Sequence, residues 1–327
     1  MAIRAHFFRG LVVTVMAAAV SACGSTGSSV PATGPVQQSP LSALSSPRHV
    51  LPSKSWMAPD AKTSQLLYLS DGNASAVYVY SWPQLKLRGT LSGIDVPVGM
   101  CSDKTGNVWI TNLNKGSIGR YAHGSLLQSR YLRDLGQLPV SCAVDPITGD
   151  LAVGNLETSG SGQGSVAIYK GAAGKPALFY DGFLNRVYFM DYDPQGNLFV
   201  DGQDSAGNVQ LDEFTPKHTF KHVALTGATI QAPGGVQYAD GSLTIGDEQG
   251  TSGYGVIYQI TESGVVTGST QLQSGASCFQ YTIAKTRVMC PDILDHNYQE
   301  YSYPPGGTAT KTITGSFGTP YGSAISQ

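Results

Sequence analysis

Hydrophobic and polar residues alternate along most of this chain in short runs, and the runs recur in a fixed order. A turn bearing Gly or Asn leads into a β-forming run that ends in Asp or Asn, and a second run then ends in an aromatic residue. The clearest copy is Asp103-Lys104-Thr105-Gly106-Asn107-Val108-Trp109-Ile110-Thr111-Asn112, followed by Ser117-Ile118-Gly119-Arg120-Tyr121. Residues 145–155 with 165–169, and 193–202 with 209–214, repeat it. The first apolar residue after each turn gives a register mark: Leu67, Val108, Leu151, Leu198, Leu243 and Val288, spaced by 41, 43, 47, 45 and 45 residues. A weaker third run follows each pair, as at 177–180 and 221–225, and one more run precedes each turn. Six units of four short strands predict an all-β, six-bladed β-propeller.

The ends of the repeat predict how the ring closes. No strand partner is apparent before Leu67, whereas Pro320-Tyr321-Gly322-Ser323-Ala324-Ile325-Ser326 matches the inner-strand starts Pro97-Val98-Gly99-Met100 and Pro139-Val140-Ser141-Cys142. The last strand is therefore expected to supply the inner strand of the first blade, which removes an exposed sheet edge. Pro97, Pro139, Pro233 and Pro320 stand at strand starts, where a missing N–H costs least.

Ahead of the repeat the pattern changes. Arg4 and Arg9 precede an apolar run, Leu11 to Val20, that is too short to span a bilayer. It ends in Val20-Ser21-Ala22-Cys23-Gly24, which resembles a bacterial lipobox. That resemblance implies a signal peptide over 1–22, a lipid on Cys23 and an extracytoplasmic location. Gly24 in place of an Asp favours the outer membrane if the host has two. An ordinary secretory peptide cut near Ala22 is the alternative. Residues 23–60 are rich in Ser, Thr, Pro, Gly and Gln without a hydrophobic period and read as a flexible tether, leaving 61–327 for the propeller.

Charge narrows the partners. Without Arg4 and Arg9 the chain carries 18 basic against 22 acidic residues, a net of −4. This gives no footprint for nucleic acid. Beside Cys23 stand four cysteines, Cys101, Cys142, Cys278 and Cys290, which permit three connectivities. Cys101 and Cys142 hold near-equivalent places in successive units, and Cys278 and Cys290 flank one hairpin, so these are the expected pairs. Buried free thiols are the alternative.

The run from Pro97 to Ile110, Pro97-Val98-Gly99-Met100-Cys101-Ser102-Asp103-Lys104-Thr105-Gly106-Asn107-Val108-Trp109-Ile110, and its fainter echoes resemble the six-bladed propellers of the NHL-repeat and senescence-marker/gluconolactonase type. The likeness covers about residues 62–327. It implies the fold and leaves activity open, because sites are grafted onto a fold independently. Gluconolactonase-like members hold a divalent metal partly through an Asp or Asn just after the inner-strand Pro. Here Val98, Val140, Gly234 and Tyr321 occupy those places, so that site is not carried over. The antibiotic lyases that share the Gly-Asn-x-Trp turn are similar in the same limited way, since no His falls at an inner-strand mouth.

The remaining chemistry consists of scattered candidates. Four residues after each mark stand Asp71, Asn112, Asn155, Asp247 and Asp292, with Gly202 beside Asp201 in the fourth unit. They could bind a cation such as calcium or a sugar, or simply cap their own turns. Asp191 interrupts the apolar inner strand Tyr188-Phe189-Met190-Asp191-Tyr192 and could act as a general base or ligand in the channel. Asp292, Asp295 and His296 form the one local cluster with ligand-like chemistry, while His218 and His222 read as a surface pair on an outer strand. Loops 157–164 and 248–254 are the long ones on the face where inner strands begin, and Tyr254, Tyr192 and Tyr321 are the aromatic residues expected there. The leading expectation is a lipid-anchored propeller that binds a protein or glycan without catalysis. Its alternatives are a metal-dependent hydrolase or lyase around Asp191, Asp247, Asp292 and His296, and a pure assembly platform. A binder requires an apolar, aromatic rim; the enzyme requires converging carboxylates.

Overall fold

Each alternating run becomes one strand, and each Gly- or Asn-bearing turn a hairpin. The computed structural model describes residues 54–159, 162–250, 253–274, 277–315 and 317–327. The expected signal peptide, the expected lipid site at Cys23 and most of the expected tether lie outside the described residues. Six antiparallel sheets follow one another along the chain. Blade 2, from inside outward, is Pro97–Ser102, Val108–Asn112, Ser117–Tyr121 and Gln128–Arg133. Blades 3, 4, 5 and 6 repeat this order from Gln137–Val144, Arg186–Tyr192, Pro233–Ala239 and Thr282–Ala284. Among the described residues the only helical pieces are short 3₁₀ turns at Pro59–Thr63 and Lys170–Ala172.

Blade 1 takes its inner strand from Pro320–Ser326, which pairs with Leu66–Asp71 in the register Leu66 to Ser326. The sequence reading places residue 60 in the tether and no strand before Leu67. Instead Trp56–Met57 pairs with the outer strand of blade 1, Leu87–Ser92, and makes that sheet five-stranded. Two residues fall below the length at which a strand shows in a hydrophobic pattern.

Five of the six inner strands carry one extra residue relative to their partner. Pro97 opposes Asn112 while Met100 opposes Ile110, and equivalent shifts occur in blades 1, 3, 4 and 5. A β-bulge bends a strand and increases its twist. In blades 1, 2 and 4, residues of the second strand catch the amides that the bulge displaces. Thr111 Oγ1 accepts from Gly99 N at 2.9 Å, Ser70 Oγ from Gly322 N at 2.9 Å and Asp201 Oδ1 from Phe189 N at 2.7 Å.

Candidate functional site

The upper face, where the inner strands begin, is closed at its centre by apolar side chains. Val98, Val140, Tyr188, Phe189, Phe279 and Tyr321 are all buried in one cluster. The Phe189 and Phe279 rings meet edge-on at 4.7 Å, and Phe279 and Tyr321 lie 5.5 Å apart. Val98, Val140 and Tyr321 hold places where a gluconolactonase-like site would need oxygen ligands.

The polar ring surrounds this plug, and its members tie the chain together. Asp71 accepts from Ala74 N, Thr319 N and Gly318 N at 2.7–3.0 Å. Asp247 accepts from Ala232 N, Gln249 N and Gln231 N, each at 3.1 Å. Asp292 accepts from Leu294 N, Asp295 N and Gln299 Nε2 at 3.0–3.1 Å. Asn112 makes the matching link to the Asp95 backbone when its amide is oriented to satisfy donor and acceptor together. Asn155 Nδ2 donates to Ser165 Oγ at 3.2 Å. Asp71 and Asp247 thus tie the second-to-third-strand loop to the chain entering the same blade, which is the work of an Asx cap. Exposed His296 adopts φ 53° beside Asp292 and Asp295. Among the described residues no three His, Cys, Asp or Glu side chains converge where a metal could sit. The calcium expectation for Asp247 and Asp292 therefore finds no fitting donor set.

Asp191 lies at the opposite, lower end of the channel. Its Oδ1 accepts from Tyr192 N and its Oδ2 from Tyr238 N of blade 5, both at 2.9 Å. At the same register in blade 5, Gln237 accepts from Ile283 N at 2.7 Å and donates to Ile283 O at 3.2 Å. Gln280 clasps Met100 N and O at 2.9 and 2.8 Å. These side chains stitch inner strands of different blades across the channel wall. Burial pushes the Asp191 carboxyl up to about 7, and its two backbone donors pull the other way. It faces a cup of about 580 Å³ whose rim includes Asp240, Lys285 and Arg287. Asp191 is thus on the far side of the ring from Asp247, Asp292 and His296, and the four do not form one site.

The other expectations divide. Cys101 and Cys142 form a disulfide between the inner strands of blades 2 and 3. Cys278 and Cys290 do not: their buried sulfurs lie 3.1 Å apart as free thiols, beyond bonding distance. Of the three tyrosines expected on the loop face, Tyr254 is exposed there, Tyr321 is buried in the plug, and Tyr192 lies toward the lower hairpins. His218 stacks on Phe214 at 5.6 Å rather than standing free. His222 Nδ1 meets Asp212 Oδ1 at 3.2 Å. Asp212 was not a sequence candidate, although it sits two residues before buried Phe214, where the alternation demands an apolar side chain.

The upper face also carries large apolar side chains in solvent. Leu135, Tyr180, Phe183, Tyr254 and Leu294 are 73%, 50%, 58%, 42% and 64% exposed, all in loops of that face. Three of them flank the long blade 3 loop. Ser159 N donates to Gly136 O and Gly164 N to Asn185 O, each at 2.8 Å, and Gln163 Nε2 donates to Leu184 O at 2.9 Å. The loop is thereby fastened on both sides, between Leu135 and Phe183.

No protein-family model matches the chain, and no curated protein does. Solved structures do. A chain from a nidogen/laminin complex superposes with a TM-score of 0.63 at 14% identity, covering 81% of this chain and 99% of that one. A protein of unknown function from Bacteroides caccae gives 0.59 at 12% identity, with 81% and 99% covered. A streptogramin B lyase gives 0.51 at 15% identity, with 80% and 78% covered. At these identities the similarity establishes a shared fold, the six-bladed β-propeller.

Proposed function

We propose that this chain is a non-catalytic binding propeller that engages a protein partner through its upper face, presented outside the cytoplasm by a lipid on Cys23. The apolar side chains around the blade 3 loop carry the reading. Large hydrophobics left in solvent on fastened loops lose little entropy on docking and gain the burial that dominates interface hot spots. The likeness to a chain from a nidogen/laminin complex is in keeping with a protein partner. The hydrolase or lyase alternative would need Asp191 and the ring carboxylates in one place, and they stand at opposite ends of the channel.

The test uses the full lipidated chain in its host membrane. A photo-crosslinking side chain is placed at Phe183 on the upper face or at Ile147, which is 61% exposed on a lower hairpin. A discrete protein adduct is expected from position 183 and not from 147, and Leu135→Asp should reduce its yield at least tenfold. Equal adducts from both positions, or none from 183, would overturn the reading. Binding to purified glycans that Leu135→Asp abolishes would replace the protein with a sugar.

A further inference from the structure

The connection between blades 3 and 4 presents Tyr180 and Phe183, and it rests on a buried pair of carboxyl groups. Asp181 and Asp212 are only 2% and 0% exposed. Asp181 Oδ1 accepts from Phe183 N at 2.8 Å and so shapes the loop that carries Phe183. Asp212, on the third strand of blade 4, holds His222 of the adjoining outer strand at 3.2 Å through Oδ1. The His222 ring in turn lies 5.6 Å from the Phe183 ring, tilted by 36°. The second oxygen of each carboxyl, Asp181 Oδ2 and Asp212 Oδ2, is buried and lacks a hydrogen-bond partner.

We propose that Asp181, Asp212 and His222 form a proton-operated latch that holds the Phe183 loop closed when the carboxyl pair carries a proton and releases it when the pair is fully ionised. The latch rests on the upper-face binding reading, because Phe183 is part of that surface. Two buried carboxylates repel, a repulsion that the half-exposed His222 imidazole offsets only when it is protonated, and an unpartnered buried carboxylate oxygen is costly. One proton removes a charge and supplies the missing donor. The surrounding charges are already engaged and cannot take its place. Arg186, at the start of the blade 4 inner strand, lies 3.7 Å from Glu157, and Lys221 on the outer strand lies 3.1 Å from Glu213. Residues 213 and 221 alternate with 212 and 222 and so project from the other side of the sheet. The half-exposed His222 imidazole is the one basic group beside the pair.

The sign follows from burial. Desolvation, then repulsion from Asp181, raises Asp212 to about 6, and burial likewise raises Asp181. A carboxyl whose folded value is raised favours the closed loop in acid and loses that contribution as pH rises through the folded value, here about 6. The upper face therefore presents a fixed Phe183 in mild acid and a freed one above neutrality.

Hydrogen–deuterium exchange of the full chain, read at peptide 180–186 and corrected for chemical exchange, tests this without any partner. Opening should be at least tenfold faster at pH 8 than at pH 5.5, while a lower-face peptide over 146–150 stays within twofold. Asp212→Asn, neutral at both values, should flatten the ratio to within twofold, as should Asp181→Asn. A wild-type loop that opens equally at both pH values overturns the latch, and so does a folded Asn pair of variants that keeps the dependence. If both variants fail to fold, the wild-type comparison alone decides. Since no adduct is measured, failure here leaves the crosslinking result from position 183 to stand separately.

Discussion

Asp191 occupies a register that blade 5 fills with glutamine, and the two residues clasp the neighbouring inner strand in related ways. A glutamine amide gives and accepts; a carboxylate only accepts and carries a charge into a poorly hydrated wall. Its folded value of about 7 lies well above the ordinary value of 3.8. The folded state therefore keeps a proton that the unfolded chain has lost between roughly pH 4 and pH 7. Stability contributed here is full in acid and declines as pH rises through about 7. Asp191→Asn removes that decline at the expense of one accepting oxygen, about 1 kcal/mol. Melting curves should put the variant below wild type at pH 5 and level with or above it at pH 8. A variant with an unchanged gap across that range would show that Asp191 stays ionised.

At the scale of strands, the inner strands of blades 2 and 3 are joined covalently as well as by packing. The Cys101–Cys142 bond closes a separation of 41 residues, for which loop-closure entropy gives about 4 kcal/mol. Replacing both cysteines with serine should lower the unfolding free energy read from urea melts by that order. A change under about 1 kcal/mol would mean that the blades hold without the bond. The pairing was legible because the two cysteines fall at near-equivalent points of successive units, one position apart in register. Strand positions were legible for the same reason: a period of two within a period near 45 leaves few arrangements. The bulges were not, because the extra residue differs from blade to blade, being Gly in one and Phe in another. Nor was the role of Asp181 and Asp212. The two lie 31 positions apart, one in the connection between blades 3 and 4 and one on the third strand of blade 4, so no local pattern links them. Tyr321 shows the converse, an aromatic residue assigned to the rim that lies buried in the plug.

At the scale of the whole ring, residues 320–326 complete a sheet begun some 250 positions earlier, pairing Leu66 with Ser326. The join is reinforced from blade 6. Tyr298 Oη donates to Ser70 O at 2.6 Å and Gly322 O at 2.9 Å, and Thr282 Oγ1 to Ser323 O at 2.6 Å. Deleting residues 320–327 should abolish cooperative unfolding in calorimetry and expose the Leu66–Asp71 edge to aggregation. A truncated chain that still melts in one sharp transition would show that five complete blades suffice.

Closure of this kind also dictates an order of events as the polypeptide is made. Until residues 320–326 emerge, Leu66–Asp71 pairs on one side only, with Ala76–Ser81, and its other edge stays open. At about 5–20 residues per second, that wait lasts on the order of ten seconds or more. The open edge is therefore an aggregation liability until the closing strand arrives. A ring that locks only when residues 320–326 arrive cannot finish folding before they do.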